Sequence, residues 1–391
     1  MPIVPDPARP APLQQLQTYF APLPDPRVER TKAHLLGDIL VLALTAVLCG
    51  ADDWVAIAEF GRAKQPFFAR FLALPHGIPA HDTFGRVFAR LDPDAFQACF
   101  RAWVADLVQQ SAGQIVGIDG KVLRGSADRP AGKGAIDMVS AWASANGAGL
   151  VLGQRQVDAK SNEITAIPLL LQVLDLTDCI VTIDAMGCQR EIAAAIVAAD
   201  ADYVLALKGN QGSTHAETIR LFEGEFAAGF GGTAYQQTTT LEKGHGRLER
   251  RRYWLITDPR YLEYVNREGK WVGLQGLGLV EAERTVNGVT TRERRYYLCS
   301  VGRVAEFARA VRGHWGIENG LHWVLDIAFR EDGSRARKDH SAENFAVVRH
   351  LALNLLKQER TAKCGVKTKR LKAGWNEDYL FKVLLGAATP A

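Results

Sequence analysis

Two short β-branched apolar runs that each stop at an aspartate constrain this chain more than any other feature. Gln114-Ile-Val-Gly-Ile-Asp-Gly-Lys stops at Asp119, and Ile180-Val-Thr-Ile-Asp-Ala-Met-Gly stops at Asp184. Such runs, bounded by turn-forming residues, read as strands. Each aspartate therefore lies at a strand end. A third acid, Glu318, stands in His314-Trp-Gly-Ile-Glu-Asn-Gly-Leu-His-Trp, where the apolar spacing is helical.

The pattern around these acids changes along the chain. Residues 1–30 open with five prolines in the first twelve positions and read as a flexible tail. Residues 31–112 are helical in pattern: Leu35, Leu36, Ile39, Leu40 and Ala43 recur at helix spacing. Asp82 or Thr83 fits an N-cap for one helix, and Asp92-Pro93 caps the next. From residue 113 to 211 the texture alternates. Strands are expected near 114–118, 138–143, 150–157, 180–183 and 203–207, with helices at 163–174 and 188–199. Three strands, a helix, a strand, a helix and a strand is the order of a ribonuclease-H-like core. In that order the first and fourth strands can lie side by side, which would bring Asp119 and Asp184 together across 65 positions of sequence. Residues 212–303 read as a β-rich insertion, 304–357 as core-completing helices, and 358–391 as a basic C-terminal tail. The fold class is α/β, with an N-terminal helical domain and the insertion placed before the last catalytic helix.

Bulk composition narrows the setting. The 391 residues allow two or three domains, and 47% hydrophobic with 23% charged residues is ordinary for a globular protein. The net charge of +4 does not by itself announce nucleic acid. Local clusters do more. Seven Lys/Arg face one Glu between Lys357 and Lys372, and five face one between Lys243 and Arg252. The six cysteines show no CxxC pair and fit reduced, core-filling thiols. No secretory signal is expected, and the eleven-residue apolar run Ile39 to Cys49 is too short to span a bilayer. The expected setting is cytoplasmic and nucleoid-associated, with no membrane partner.

Several motifs in order resemble those of a known family. His81-Asp-Thr-Phe-Gly-Arg-Val-Phe, Ile118-Asp-Gly-Lys, Asp184-Ala-Met-Gly-Cys-Gln, Leu207-Lys-Gly-Asn-Gln and the stretch from His314 to Asp332 are similar to H-repeat-associated transposases of bacterial insertion sequences. The resemblance runs from about Leu35 to Leu356. It implies a DDE transposase with a ribonuclease-H-like catalytic domain, an N-terminal associated domain, and the acids Asp119, Asp184 and Glu318. It also implies cleavage at insertion-sequence ends, strand transfer into target DNA, and a homodimer or higher assembly on double-stranded DNA (transposon ends and target). A related group of DDE transposases carries Tyr and Arg seven and four positions before its glutamate, and Lys seven after. Here those positions hold Val311, His314 and Leu325.

In-line attack at a phosphodiester accumulates negative charge, which two metal ions can stabilise. Carboxylates suit Mg²⁺, with Mn²⁺ able to substitute. Asp119 is expected to bridge both ions, with Asp184 and Glu318 each favouring one. Plainer roles stand beside this one. An Asp-Gly after a strand is often a turn, Asp184 fits an N-cap for a helix near Gln189, and Glu318 fits a solvated helix position. Rivals for the third acid are Asp326, Glu331 and Asp332. His314, Glu318 and His322 fall at i, i+4 and i+8, a spacing that also suits zinc, although no His-Glu-x-x-His is present. The expected DNA contacts are Lys121, Arg124, Lys208, His314, Asn319, His322, Arg247, Arg250, Arg251 and Arg252. Lys363, Lys367, Lys369, Arg370 and Lys372 fit backbone contacts or a solvated tail. Tyr253 and Trp254 fit a stacking surface or strand core. A metal-dependent nuclease and a catalytically inactive DNA-binding protein are the competing functions.

Overall fold

The computed structural model describes residues 12–107, 113–145, 148–158, 161–244 and 246–385. Six helices come first: α1 (Pro12–Phe20), α2 (Leu36–Leu48), α3 (Trp54–Ala63), α4 (Gln65–Phe68), α5 (His81–Arg90) and α6 (Pro93–Leu107). In α2 every side chain from Asp38 to Leu48 is buried, because its Leu/Val/Ala run leaves no polar face. Asp92 begins α6 as expected, its carboxylate accepting the Ala95 N–H at 2.7 Å. At α5 neither Asp82 nor Thr83 is the cap. The helix starts at His81, and Ala80 holds the cap position without a side-chain bond. The expected loose tail is corrected from Pro12 onward. There the chain is helical, with Leu16, Phe20 and Leu23 buried and Phe20 edge-on to Phe96. Proline at the first helical position is compatible with a helix, which the count of prolines alone concealed.

The middle of the chain supplies β1 (Ile115–Leu123), β2 (Ile136–Ala145), β3 (Ala148–Gln156), α7 (Glu163–Leu171), β4 (Ile180–Ile183), α8 (Arg190–Ala198) and β5 (Asp202–Leu207). Next come α9 (Gly212–Ala228), β6 (Tyr235–Gly244), β7 (Arg247–Ile256), α10 (Pro259–Val265), β8 (Gly276–Val286) and β9 (Val289–Cys299). All nine strands form one mixed sheet in the order β3-β2-β1-β4-β5-β9-β8-β7-β6. Strands β1, β4 and β5 are mutually parallel neighbours, and β2 and β3 fold back antiparallel. The region read as a β-rich insertion differs in two ways. It opens with the 17-residue helix α9, and its four strands extend the same sheet through β9, which pairs antiparallel with β5.

The chain closes with α11 (Val304–Ile317), a π-helical turn (Glu318–His322), α12 (Trp323–Phe329), α13 (Ser341–Gln358), α14 (Val366–Trp375) and α15 (Glu377–Leu385). Buried almost throughout, α13 joins the N-terminal helices to the sheet in one continuous core. Asn354 on α13 caps the edge strand β3. Its Oδ1 accepts from Val151 N and its Nδ2 donates to Val151 O, both at 2.9 Å. The expected basic tail is corrected in part, since it folds into α14 and α15 while Lys363, Lys367 and Lys372 stay exposed. Lys369 and Arg370 are buried on α14. Arg370 donates to Val47 O at 2.8 and 2.9 Å and to Asp52 at 2.9 Å, which satisfies carbonyls at the end of α2. These cations hold the fold together and are not available to a phosphate backbone. Among the described residues no helix is long and apolar enough to cross a membrane, and all six cysteines are free.

Candidate active site

Strand register decides where the first two acids go. In the parallel pair of β1 and β4, Ile118 lies opposite Ile183, and the next residues are Asp119 and Asp184. Neighbouring strands stand about 4.8 Å apart, so the two carboxylates start from adjacent backbone positions. Beyond Ile183 the chain leaves the sheet, whereas β1 runs on to Leu123. Asp184 Oδ1 accepts the N–H groups of Met186 at 3.0 Å and Gly187 at 3.4 Å. It thus closes its own turn and does not cap α8, which starts only at Arg190. The loop is braced by the short turn Gly209–Gln211 that follows β5. Asn210 donates to Ala185 O at 2.6 Å and Gln211 to Cys188 O at 3.0 Å. In Lys208-Gly-Asn-Gln the amide side chains therefore hold the Asp184 turn, and Lys208 is exposed.

Glu318 arrives on a helix pressed against β1. A Cβ at Gly117 would stand 3.5 Å from Ile317, and one at Gly313 would come within 2.7 Å of Ile115. A side chain at Gly313 would crowd Ile115, whereas a Cβ at Gly117 would only touch Ile317, so α11 lies directly on β1. Glu318 is the next residue after Ile317, and Asp119 is the next same-face residue after Gly117. Glu318 also begins the π-helical turn. Such wider turns are inserted where a helix must re-aim side chains, frequently at functional sites. The regular i, i+4, i+8 face expected for His314, Glu318 and His322 is interrupted here. His322 Nδ1 lies 3.4 Å from Asp119 Oδ2, and Asn319 is exposed, donating to Trp315 O at 3.0 Å.

One imidazole reports the convergence. His314 Nδ1 is 3.1 Å from Thr182 Oγ1 on β4. Burial pushes its pKa down, while Asp119, Asp184 and Glu318 all pull it up. The net shift is downward, so His314 is neutral near pH 7 although three carboxylates face it. A fourth acid was missed by the sequence reading. Glu163, the first residue of α7, packs against Gly120, where any Cβ would overlap its carboxylate. Burial raises its pKa to about 7, reinforced by Asp184, Asp119 and Asp137 and opposed by His322. Nothing in its spacing marked it, because Asn162-Glu163 reads only as a helix start.

The rival acids are committed elsewhere. Lys121 Nζ lies 2.6 Å from Asp326, 2.7 Å from Glu331 and 3.8 Å from Asp332. Arg349 approaches Glu331 at 3.6 Å and Arg124 approaches Asp332 at 3.6 Å. Lys121 is thus part of a mostly buried ion cluster. As the side chains stand, no three His, Cys, Asp or Glu among the described residues are set in ligating positions. The chemistry of the set is nonetheless that of hard oxygen donors from Asp119, Asp184 and Glu318, with no Lys or Arg paired to them among the described residues. That composition fits a divalent cation such as Mg²⁺ and not a zinc site.

Comparison with known proteins gives the family. Residues 17–104 match the DDE_Tnp_1-associated family, and residues 111–355 match the Transposase DDE domain. The chain belongs to the DDE transposase family. It is 41% identical over 379 residues to "Putative transposase YncI" of Escherichia coli O157:H7, covering 95% of each chain. It is 37% identical over 381 residues to "H repeat-associated putative transposase YhhI" of Escherichia coli strain K12, covering 96% of this chain and 99% of the relative.

A DDE transposase acts on DNA, and the basic run on β7 is the feature most readily read as a DNA surface. In the fold its charges are laddered with glutamates of β8. Arg252 and Arg294 flank Glu281, and Arg250 and Arg292 flank Glu283, each in cross-strand register. Arg252 contacts Glu281 at 2.9 Å, Arg294 contacts it at 2.8 Å, and Arg250 contacts Glu283 at 2.8 Å. Arg247 pairs with Glu249 at 2.9 Å, and Arg251 pairs with Glu249 and Glu242. None of these arginines joins the acids of the site. Tyr253 and Trp254 are buried, so they are strand core and no stacking surface.

Proposed function

We propose that this chain is a metal-dependent DNA transposase that cuts double-stranded DNA at insertion-sequence ends and joins the freed end to target DNA. Asp119, Asp184 and Glu318 would hold the catalytic cation, Mg²⁺ or Mn²⁺. The observation that carries the reading is the β1–β4 register, which starts Asp119 and Asp184 side by side beneath the helix bearing Glu318. The order β3-β2-β1-β4-β5, with β1, β4 and β5 parallel, supports a ribonuclease-H-like core. Bound there, a divalent cation activates the attacking oxygen and stabilises the leaving one.

The chain itself contributes placement. The amides of Met186 and Gly187 hold the Asp184 carboxylate, and the Gly120 amide donates to Asp119 Oδ1 at 3.0 Å. Thr182 positions His314 among the acids, and burial keeps that imidazole neutral, so it adds no positive charge to compete for them. Lys208 is exposed, and Arg124 is exposed with only a long contact to Asp332 at 3.6 Å, so both can meet phosphate. On the distal strands four arginines (250, 252, 292, 294) surround two glutamates (281, 283), an excess of two positive charges available to a DNA backbone. Joining two ends calls for at least two protomers.

The test is a cleavage and joining assay with DNA carrying the element's ends, in Mg²⁺ or Mn²⁺, comparing wild type with Asp119→Ala, Asp184→Ala and Glu318→Ala. Nicking and joining lost in all three variants, with DNA binding retained, is the expected result. Nicking without joining would make the protein a nuclease. Binding without cutting would make it an inactive DNA-binding protein.

A further inference from the structure

Because strand residues alternate between faces, Gly117 and Gly120 of β1 look to opposite sides of the sheet. Gly117 meets Ile317 of α11, and Gly120 meets Glu163 of α7. The β4 neighbour of β1 has ended by this point, after Ile183. Glu163 therefore approaches the aspartates across an open strand edge, from the side opposite Glu318. Asn162 fixes its position, its side chain accepting the Ile164 N–H at 3.1 Å. Among the described residues the Glu163 carboxylate takes no hydrogen bond and no ion pair. Its charged neighbours are Asp184, Asp119, Asp137 and His322. Lys121, one residue beyond Gly120, is occupied by Asp326 and Glu331.

We propose that Glu163 is a fourth carboxylate donor of the divalent-cation site, supplied by α7 from the face of the sheet opposite Glu318. The inference rests on the transposase reading above. A half-buried carboxylate set among other acids is unfavourable unless a proton or a cation neutralises it. Burial and those acids hold its pKa high, as the absence of a resident positive charge requires. With Glu163 the site offers four carboxylates, which balance two divalent cations. Glycine at position 120 is then a spacing requirement, since a side chain there would push the carboxylate away.

The test is equilibrium Mn²⁺ binding to the full chain without DNA, followed by the electron paramagnetic resonance of free Mn²⁺. Glu163→Gln is expected to weaken binding about tenfold or more, with the metal-free melting temperature unchanged or raised. Gly120→Ala should weaken it in the same way, and Gly120→Ala/Glu163→Gln should be no worse than Glu163→Gln alone. Binding within about twofold of wild type in Glu163→Gln, while Asp119→Asn abolishes it, would overturn the proposal. Additive losses in the double variant would overturn it as well, by assigning Gly120 a separate role. If Asp119→Asn and Asp184→Asn also bind like wild type, the transposase site itself is wrong and Glu163 falls with it.

Discussion

Two groups of acidic side chains along β1 are treated in opposite ways. Glu331 is buried beside Lys121 and Arg349, and Asp326 and Asp332 share the same lysine. Burial alone would raise the Glu331 pKa, but Lys121, Arg349 and His350 outweigh it and hold the carboxyl below its ordinary value. Two residues back along the strand, Asp119 with Asp184 and Glu163 has, among the described residues, no basic partner except His322. There the balance runs the other way, and Glu163 rises to about 7. The difference separates charge the protein has already satisfied from charge it leaves for something else to satisfy. The first group ties α12 and α13 to β1. The second makes sense as a binding site.

This contrast can be broken most severely at the aspartates. Asp119→Ala should lower DNA cleavage on the order of a thousandfold or more, about 4 kcal/mol of transition-state stabilisation. In a metal-free thermal melt the same variant should be no less stable than wild type. Loss of stability there would place Asp119 with the structural group. On the paired side, Lys121→Met should destabilise the fold by about 3–5 kcal/mol, read from a urea midpoint, because Glu331 would stay buried with part of its compensation gone. A change below about 1 kcal/mol would show that Arg349 suffices alone.

The two groups should also answer pH with opposite sign. Glu163 has a raised folded pKa, so its contribution to stability is present below the ordinary 4.5 and is lost as pH rises through about 7. Metal-free protein should therefore lose stability between those values, and Mg²⁺ should restore it. Glu343, also raised to about 7 by burial and Asp94, adds a loss that Mg²⁺ does not touch. Comparing melting temperatures with Mg²⁺ and with chelator across this window isolates the site. Glu331 has a lowered folded pKa, so its contribution is present above 4.5 and lost as pH falls through the folded value. The mildest case is the exposed end of the β8 ladder, where Arg292→Ala should cost less than about 1 kcal/mol of stability. If that face meets DNA, the variant should also reduce the salt slope of binding by about one. An unchanged slope would move the DNA path off the distal strands.

Local chemistry was readable wherever period and composition agreed. The strand ending before Asp184, the helix entering Glu318 and the Asp92-Pro93 cap follow from short-range pattern, whereas Asp119 lies within β1, which pairs with β2 as far as Leu123. Misreadings came where one signal overrode another. Prolines hid the helix from Pro12, glycine-rich texture hid α9, and lysines hid the helix α14, whose buried Arg370 bonds to main-chain carbonyls. Charge in a sequence says nothing about its partner. The arginines of β7 looked like a free basic patch until the register set glutamates opposite them.

The sequence alone determined which residues are chemically capable: two aspartates that follow β-branched runs, a helix glutamate, and the family these motifs resemble. Tertiary structure alone decided which carboxylates meet. Glu163 joins the site, while Glu331 is withdrawn from it by Lys121. The physical reason is distance. Hydrophobic period and capping are local, acting over a few residues. Electrostatic compensation depends on separations of a few ångströms between positions far apart in the chain, and only the folded sheet sets those.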